Sequence, residues 1–171
     1  MLRQFPAVMP LFIAASALAA DVTTYHNDNA RTGQTLSETI LTHANVNSTN
    51  FGKLFVLSVD GKVDAQPLYV SALTFPSQGI RNTLYVVTEH DSVYAFDADT
   101  GAQLWKVSLL KSGETPSDNR SCSQVTPEIG ITSTPVISRS TSTIYVVAMS
   151  KDASNNYFHR LHALDLTTGA E

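Results

Sequence analysis

Thr83-Leu84-Tyr85-Val86-Val87 recurs sixty residues later as Thr143-Ile144-Tyr145-Val146-Val147. Two further blocks repeat in the same order. Ala95-Phe96-Asp97-Ala98-Asp99-Thr100-Gly101 returns sixty-eight residues on as Ala163-Leu164-Asp165-Leu166-Thr167-Thr168-Gly169, and Gln66-Pro67-Leu68 returns at the same offset as Thr134-Pro135-Val136. The offsets differ by eight because the loops differ: the first unit has its long segment (71–82) before its Leu-Tyr-Val-Val run, the second (150–157) after it. Chance likeness in a chain rich in Thr and Ser does not hold three blocks in order. The chain carries an internal repeat of supersecondary size.

Each unit reads as an antiparallel meander. In the first, strands are expected near 66–70, 83–87, 92–97 and 103–109, with turn chemistry at Asp91-Ser92 and at 97–101. In the second, 133–137, 143–149 and 160–165 are expected, with the chain stopping before a fourth strand. The Tyr-Val-Val runs do not alternate apolar with polar, as a sheet with one wet face would. Both faces must therefore be covered, and a β-propeller does this by sandwiching each blade between two others. The expected fold is all-β: a partial propeller of four-stranded antiparallel blades, with about one complete blade, one incomplete blade and a lone N-terminal closing strand.

That closing strand is Gly52-Lys53-Leu54-Phe55-Val56-Leu57-Ser58-Val59, which matches Ala102-Gln103-Leu104-Trp105-Lys106-Val107-Ser108-Leu109 fifty residues on. A lone fourth strand at the N-terminus would complete a last blade and remove an open edge. The organisation that follows is a signal peptide at 1–20, a leader with the closing strand at 21–62, blade 1 at 63–110, an inter-blade loop at 111–130 and the incomplete blade 2 at 131–171.

The signal peptide is read from Arg3, the apolar stretch 8–18 and the small-x-small pattern Ala17-Leu18-Ala19. The stretch is too short for a membrane anchor and is flanked by Pro6 and interrupted by Pro10. No second apolar span follows, so the expected location is periplasmic or extracellular, with no transmembrane span. The net charge of −4 and pI of about 5.7 provide no basic field for nucleic acid. Cys122 is the one cysteine, so no disulfide closes within the chain.

Ala95-x-Asp97-x-x-Thr100-Gly101-x-x-x-Trp105 resembles the tryptophan-docking motif of the pyrroloquinoline quinone (PQQ) dehydrogenase propellers and their relatives, and Ala163-x-Asp165-x-x-Thr168-Gly169 matches as far as it runs. Ala102 and Ala170 stand where the family often has a basic residue. Tyr25-x-x-Asp28-x-x-Arg31-x-Gly33, Asn45-Val46 and Leu54-Phe55 resemble the opening segment of the same family. The roles are readable without it: Asp97 caps the turn, Gly101 permits a positive φ, Thr100 bonds across the turn, and Trp105 is a plate suited to a gap between sheets. These are structural docking residues.

The resemblance implies PQQ and Ca²⁺ as cofactors in a full-length dehydrogenase, with two cofactor-binding candidates here. Asp64, in Asp64-Ala65-Gln66-Pro67, stands where the family has a Glu that reaches the quinone, one methylene longer. Cys122 lies in the loop where the family has two adjacent cysteines, but its neighbour is Ser123. The bland readings are a turn carboxylate and a small loop thiol. His159 and His162 are three apart on a strand and face opposite sides, so no metal site is expected from them. The preferred reading is a non-catalytic scaffold or binding module whose partners are the remaining blades. The rival is the N-terminal part of a periplasmic quinoprotein alcohol or sugar dehydrogenase.

Overall fold

Strand pairing is antiparallel throughout the computed structural model, which describes residues 20–36 and 38–171. The signal-peptide reading falls almost entirely outside the described residues. The first sheet is a meander of β1 (Leu68–Phe75), β2 (Gly79–Val87), β3 (Ser92–Asp97) and β4 (Gln103–Ser108), in chain order. The segment 71–82, expected as a loop, instead lengthens the β1–β2 hairpin to a tip at 76–78. A bulge between Val70 and Leu73 makes this possible: Ala72 turns to φ +47°, and its N–H reaches Asn82 Oδ1 at 3.0 Å.

The second sheet contains more than the expected strands. β5 (Glu114–Asp118) and β6 (Glu128–Ile129) arise inside the stretch expected as an inter-blade loop at 111–130. They join β7 (Val136–Ser138), β8 (Thr143–Asp152) and β9 (Tyr157–Asp165) in an antiparallel sheet that does not close. β9 lies along one edge of β8, while β7 and β5 share the opposite edge, at its start and end respectively. Charged cross-strand pairs hold β5 there. Arg160 forks onto both oxygens of Glu114 at 2.8 Å, and Asp118 accepts from Lys151 at 2.9 Å and Tyr157 at 2.6 Å.

The main core lies between the sheets. Leu68, Val70, Tyr85, Val87, Val93, Ala95 and Trp105 of the first meet Ile137, Ile144, Val146, Ala148, Leu164 and Leu166 of the second. This explains the unbroken apolar run in β2, because its alternate residues serve two covered faces. The far face of the first sheet carries Val86, Tyr94 and Phe96, and Leu57 and Val59 of the leader pack on it.

The expected closing strand, 52–59, is not paired as a strand among the described residues. Residues 53–59 form no ladder among the described residues, and Leu54 and Val56 are exposed. The segment has a strand's pattern and a strand's seat on the sheet face, but a ladder needs a neighbouring strand to bond. The start of the leader is tied down more firmly. Val22 bridges Tyr69, and the Ile137 N–H donates to Thr23 O at 2.8 Å. Asp21 accepts from the Ser71 N–H and hydroxyl, both at 2.8 Å, and pairs with Arg139, which also donates to Ser71 O at 2.8 Å. One carboxylate thus clamps the bulge of the first sheet to the 3₁₀ turn Arg139–Thr141 of the second. Among the described residues no helix is long and apolar enough to cross a membrane.

Candidate functional site

The two Asp-x-x-Thr-Gly turns have the same geometry. Asp97 Oδ1 accepts the N–H groups of Asp99 and Thr100 at 2.9 and 3.0 Å, and Asp165 Oδ1 accepts those of Thr167 and Thr168, both at 2.9 Å. In each turn the Thr hydroxyl, of Thr100 or Thr168, accepts the N–H two residues on. Gly101 and Gly169 adopt φ +75° and +71°, where a Cβ is costly.

Both glycines also lie beneath an aromatic ring. A Cβ on Gly169 would come within 2.9 Å of Trp105, and a Cβ on Gly101 within 3.0 Å of Phe55. Trp105 donates its indole N–H to Leu166 O at 3.0 Å, and the Tyr85 hydroxyl donates to the same oxygen at 2.8 Å. One carbonyl of the second unit therefore anchors two aromatic residues of the first. Burial, with the nearby Asp165, pushes the Tyr85 phenol far above its ordinary range. Ala95 is fully buried opposite Trp105, whereas its counterpart Ala163 is exposed on the far side of the second sheet. Tyr85 and Phe55 stood in the sequence only within the repeat and the leader match, with no docking role assigned to them. Their signal was positional: Tyr85 has Tyr145 in the same place in the repeat, and Phe55 aligns with Trp105.

A second group of polar residues gathers where the β2–β3 turn meets the chain leading into β7. Asp64 lines an open cleft of about 440 Å³ with Tyr25, Thr132, Ser133 and Thr134. Its carboxylate pairs with Lys62 at 2.8 Å, and Lys62 also donates to Gln124 O at 3.1 Å. Behind Thr132 lies Glu89, fully buried. Its Oε2 accepts the Gly130 N–H at 2.8 Å and the Thr132 hydroxyl at 2.9 Å, while Oε1 has no partner. Burial, together with the neighbouring Asp64, raises its pKa. Gly130 has no room for a side chain, since a Cβ there would stand 2.2 Å from Glu89 O.

Asp91 sits beside this group at φ +54°, completely buried, with neither carboxyl oxygen hydrogen-bonded. Burial, then the charges of Glu128 and Glu89, push its pKa up to about 8, so it carries a proton at neutral pH. Asp60 is its opposite. Burial works against its charge, but Lys106 at 2.8 Å and the hydroxyls of Ser92 at 2.6 Å and Thr88 at 3.0 Å hold its pKa at about 2.

Cys122 is half-buried in a turn closed by its N–H to Asn119 O at 2.6 Å, and its thiol is free. The N–H groups of Val125 and Gln124 lower its pKa, with help from Lys62. Lys62 is thus the link between the Asp64 segment and the Cys122 loop. Among the described residues no group of three His, Cys, Asp or Glu side chains could hold a metal ion. Two cations among the described residues stand near the cleft, both engaged: Lys62 pairs with Asp64, and Arg31 donates to Tyr25 O at 2.8 Å. No protein-family model matches the chain, nor does any curated protein or solved structure.

Proposed function

We propose that this chain is an exported segment of a PQQ-like-repeat β-propeller, and that it serves as a non-catalytic scaffold or binding module. The observation that carries this reading is the repeated docking step. Phe55 lies over Gly101 as Trp105 lies over Gly169, so the leader segment holds toward the first sheet the place that β4 holds toward the second. Successive units joined by the same step around an axis are the construction principle of a propeller. Asp64 and Cys122 then have ordinary roles, as an ion-pair partner of Lys62 and a loop thiol.

The test is titration of PQQ with Ca²⁺ into the 171-residue chain, followed through Trp105, its only tryptophan. The expected result is no saturable quenching at micromolar concentrations. The few polar groups of an open cleft do not offset the freedom lost on binding, which is at least several kcal/mol.

One observation favours a second reading, the N-terminal part of a quinoprotein dehydrogenase. Lys62 ties the Asp64 segment to the Cys122 loop, pairing with Asp64 and donating to Gln124 O. Saturable quenching that disappears in Asp64→Ala would put this reading first.

A further inference from the structure

The turn between β2 and β3 is docked on the chain that runs from β6 toward β7. The Ile131 N–H donates to Thr88 O at 3.2 Å, and the Gly130 N–H to Glu89 Oε2 at 2.8 Å. The approach is close enough that a Cβ on Gly130 would stand 2.9 Å from Asp91 N. Into this seam the turn buries the Asp91 carboxyl, with no exposed surface and no hydrogen bond to either oxygen. The groups that face it offer its charge no partner. They are Glu89 of its own turn, Glu128 of β6, Glu114 of β5 and Arg160 of β9. The Arg160 fork is taken up by both oxygens of Glu114 at 2.8 Å, and the adjacent His90 ring is paired with Glu128 at 2.9 Å. The Met149 N–H of β8 is committed to Gly130 O at 3.0 Å. An ionised carboxylate without a partner is costly to bury, and the surrounding carboxyls add repulsion. The closed seam therefore holds Asp91 as the neutral acid.

We infer that Asp91 is the latch of a proton-dependent seam: its protonated carboxyl lets the β2–β3 turn stay docked on 130–132, and loss of the proton releases the turn while the sheets stay paired. Opening returns both oxygens to water, where the ionised form is favoured at neutral pH. The sign follows from the same burial. In the closed seam the pKa is pushed up to about 8, against 3.8 ordinarily. Closure is therefore favoured most below about pH 4, and each pH unit from there to about 8 favours opening roughly tenfold more. Thr132 loses its bond to Glu89 when the turn leaves, so the wall of the cleft moves with the seam. Every group in the device belongs to the two sheets already in contact, and the inference does not depend on what the cleft binds.

Amide hydrogen exchange of the full chain, measured by NMR from about pH 5 to 7 where reclosing outpaces exchange, tests it. An amide freed by a pH-independent opening follows pH with a logarithmic slope of about 1, set by hydroxide alone. The Gly130 and Ile131 amides should follow it with a slope of about 2, because opening also releases the Asp91 proton. They should exchange at least roughly tenfold faster than the amides of the β8–β9 ladder, which wait for global unfolding. Asp91→Asn keeps the shape of the neutral acid and should lower the Gly130 and Ile131 slope by about one. A wild-type slope of about 1, a slope unchanged in Asp91→Asn, or seam amides no faster than the β8–β9 ladder would overturn the latch. The carboxyl carbon resonance of Asp91 in the wild type gives an answer even if the variant does not fold. It should titrate far above the ordinary carboxylate range, and titration within that range would overturn the latch as well.

Discussion

Trp105 donates its indole N–H to the carbonyl of Leu166, 61 positions further along the chain, at 3.0 Å. The bond spans the two sheets, and the indole covers Gly169 beside it. Trp105→Ala should therefore cost about 3–5 kcal/mol, the usual range for deleting a large buried ring. Tyr85→Phe keeps the packing and removes one of the two bonds to Leu166, so about 1 kcal/mol is expected. Urea unfolding followed by circular dichroism measures both. A Trp105→Ala loss below that of Tyr85→Phe would show that the joint does not depend on the indole.

Gly130→Ala should be among the most damaging single changes in the chain. Its Cβ would meet backbone, Glu89 O at 2.2 Å and Asp91 N at 2.9 Å, and neither can swing aside. Overpacking of this kind costs about 1–3 kcal/mol or more. Gly52→Ala is the control, with nothing within 4 Å, and should stay within about 0.5 kcal/mol of wild type. Equal melting temperatures for the two variants would contradict the close approach.

Stability should fall on both sides of mildly acidic pH. The Asp60 and Glu114 pKa values lie at about 2 in the fold, Glu114 through the Arg160 fork, against 3.8 and 4.5 ordinarily. Their contribution is complete above the ordinary values and is lost as pH drops toward 2. Asp91 has the opposite sign. Its folded pKa of about 8 exceeds 3.8, so its contribution is present below pH 4 and lost as pH rises through 8. Urea midpoints measured from pH 3 to 9 should peak near pH 4–5, and Asp91→Asn should flatten the descent above that peak. An unchanged alkaline slope in Asp91→Asn would assign the descent to other groups.

The clamp at Asp21 should prove unequal in its two arms. Arg139 is substantially exposed, so removing it should cost less than about 1 kcal/mol. Asp21→Ala leaves both the N–H and the hydroxyl of Ser71 unpaired and should cost about 1–3 kcal/mol. The two single variants and the double variant, unfolded in urea, give the coupling directly.

What the sequence disclosed depended on whether the deciding force was local. The β2 and β3 strands and the Asp97–Gly101 turn were legible because apolar runs and turn residues act over a few positions. β5 was not, because Glu114-Thr115-Pro116-Ser117-Asp118 has the composition of a loop and becomes a strand through distant partners, Arg160, Lys151 and Tyr157. The leader showed the reverse: residues 53–59 read as a strand, yet their pattern supplies no neighbour for a ladder. Asp64 and Cys122 stood out in the sequence as cofactor-binding candidates, but the buried carboxylate of that region is Glu89, which looks in sequence like any solvated turn carboxylate. Only its burial against Gly130 and Thr132 reveals it.

The clamp around Asp21 also bears on timing. Its carboxylate and the guanidinium of Arg139 are 118 positions apart. At a synthesis rate of about 5–20 residues per second, the first partner waits roughly 6–24 s for the second to be made. Until then Val22 and Thr23 can reach the first sheet but not Ile137. The start of the leader thus stays half-anchored for seconds after the first sheet is complete, and its second anchor comes from the sheet made after it.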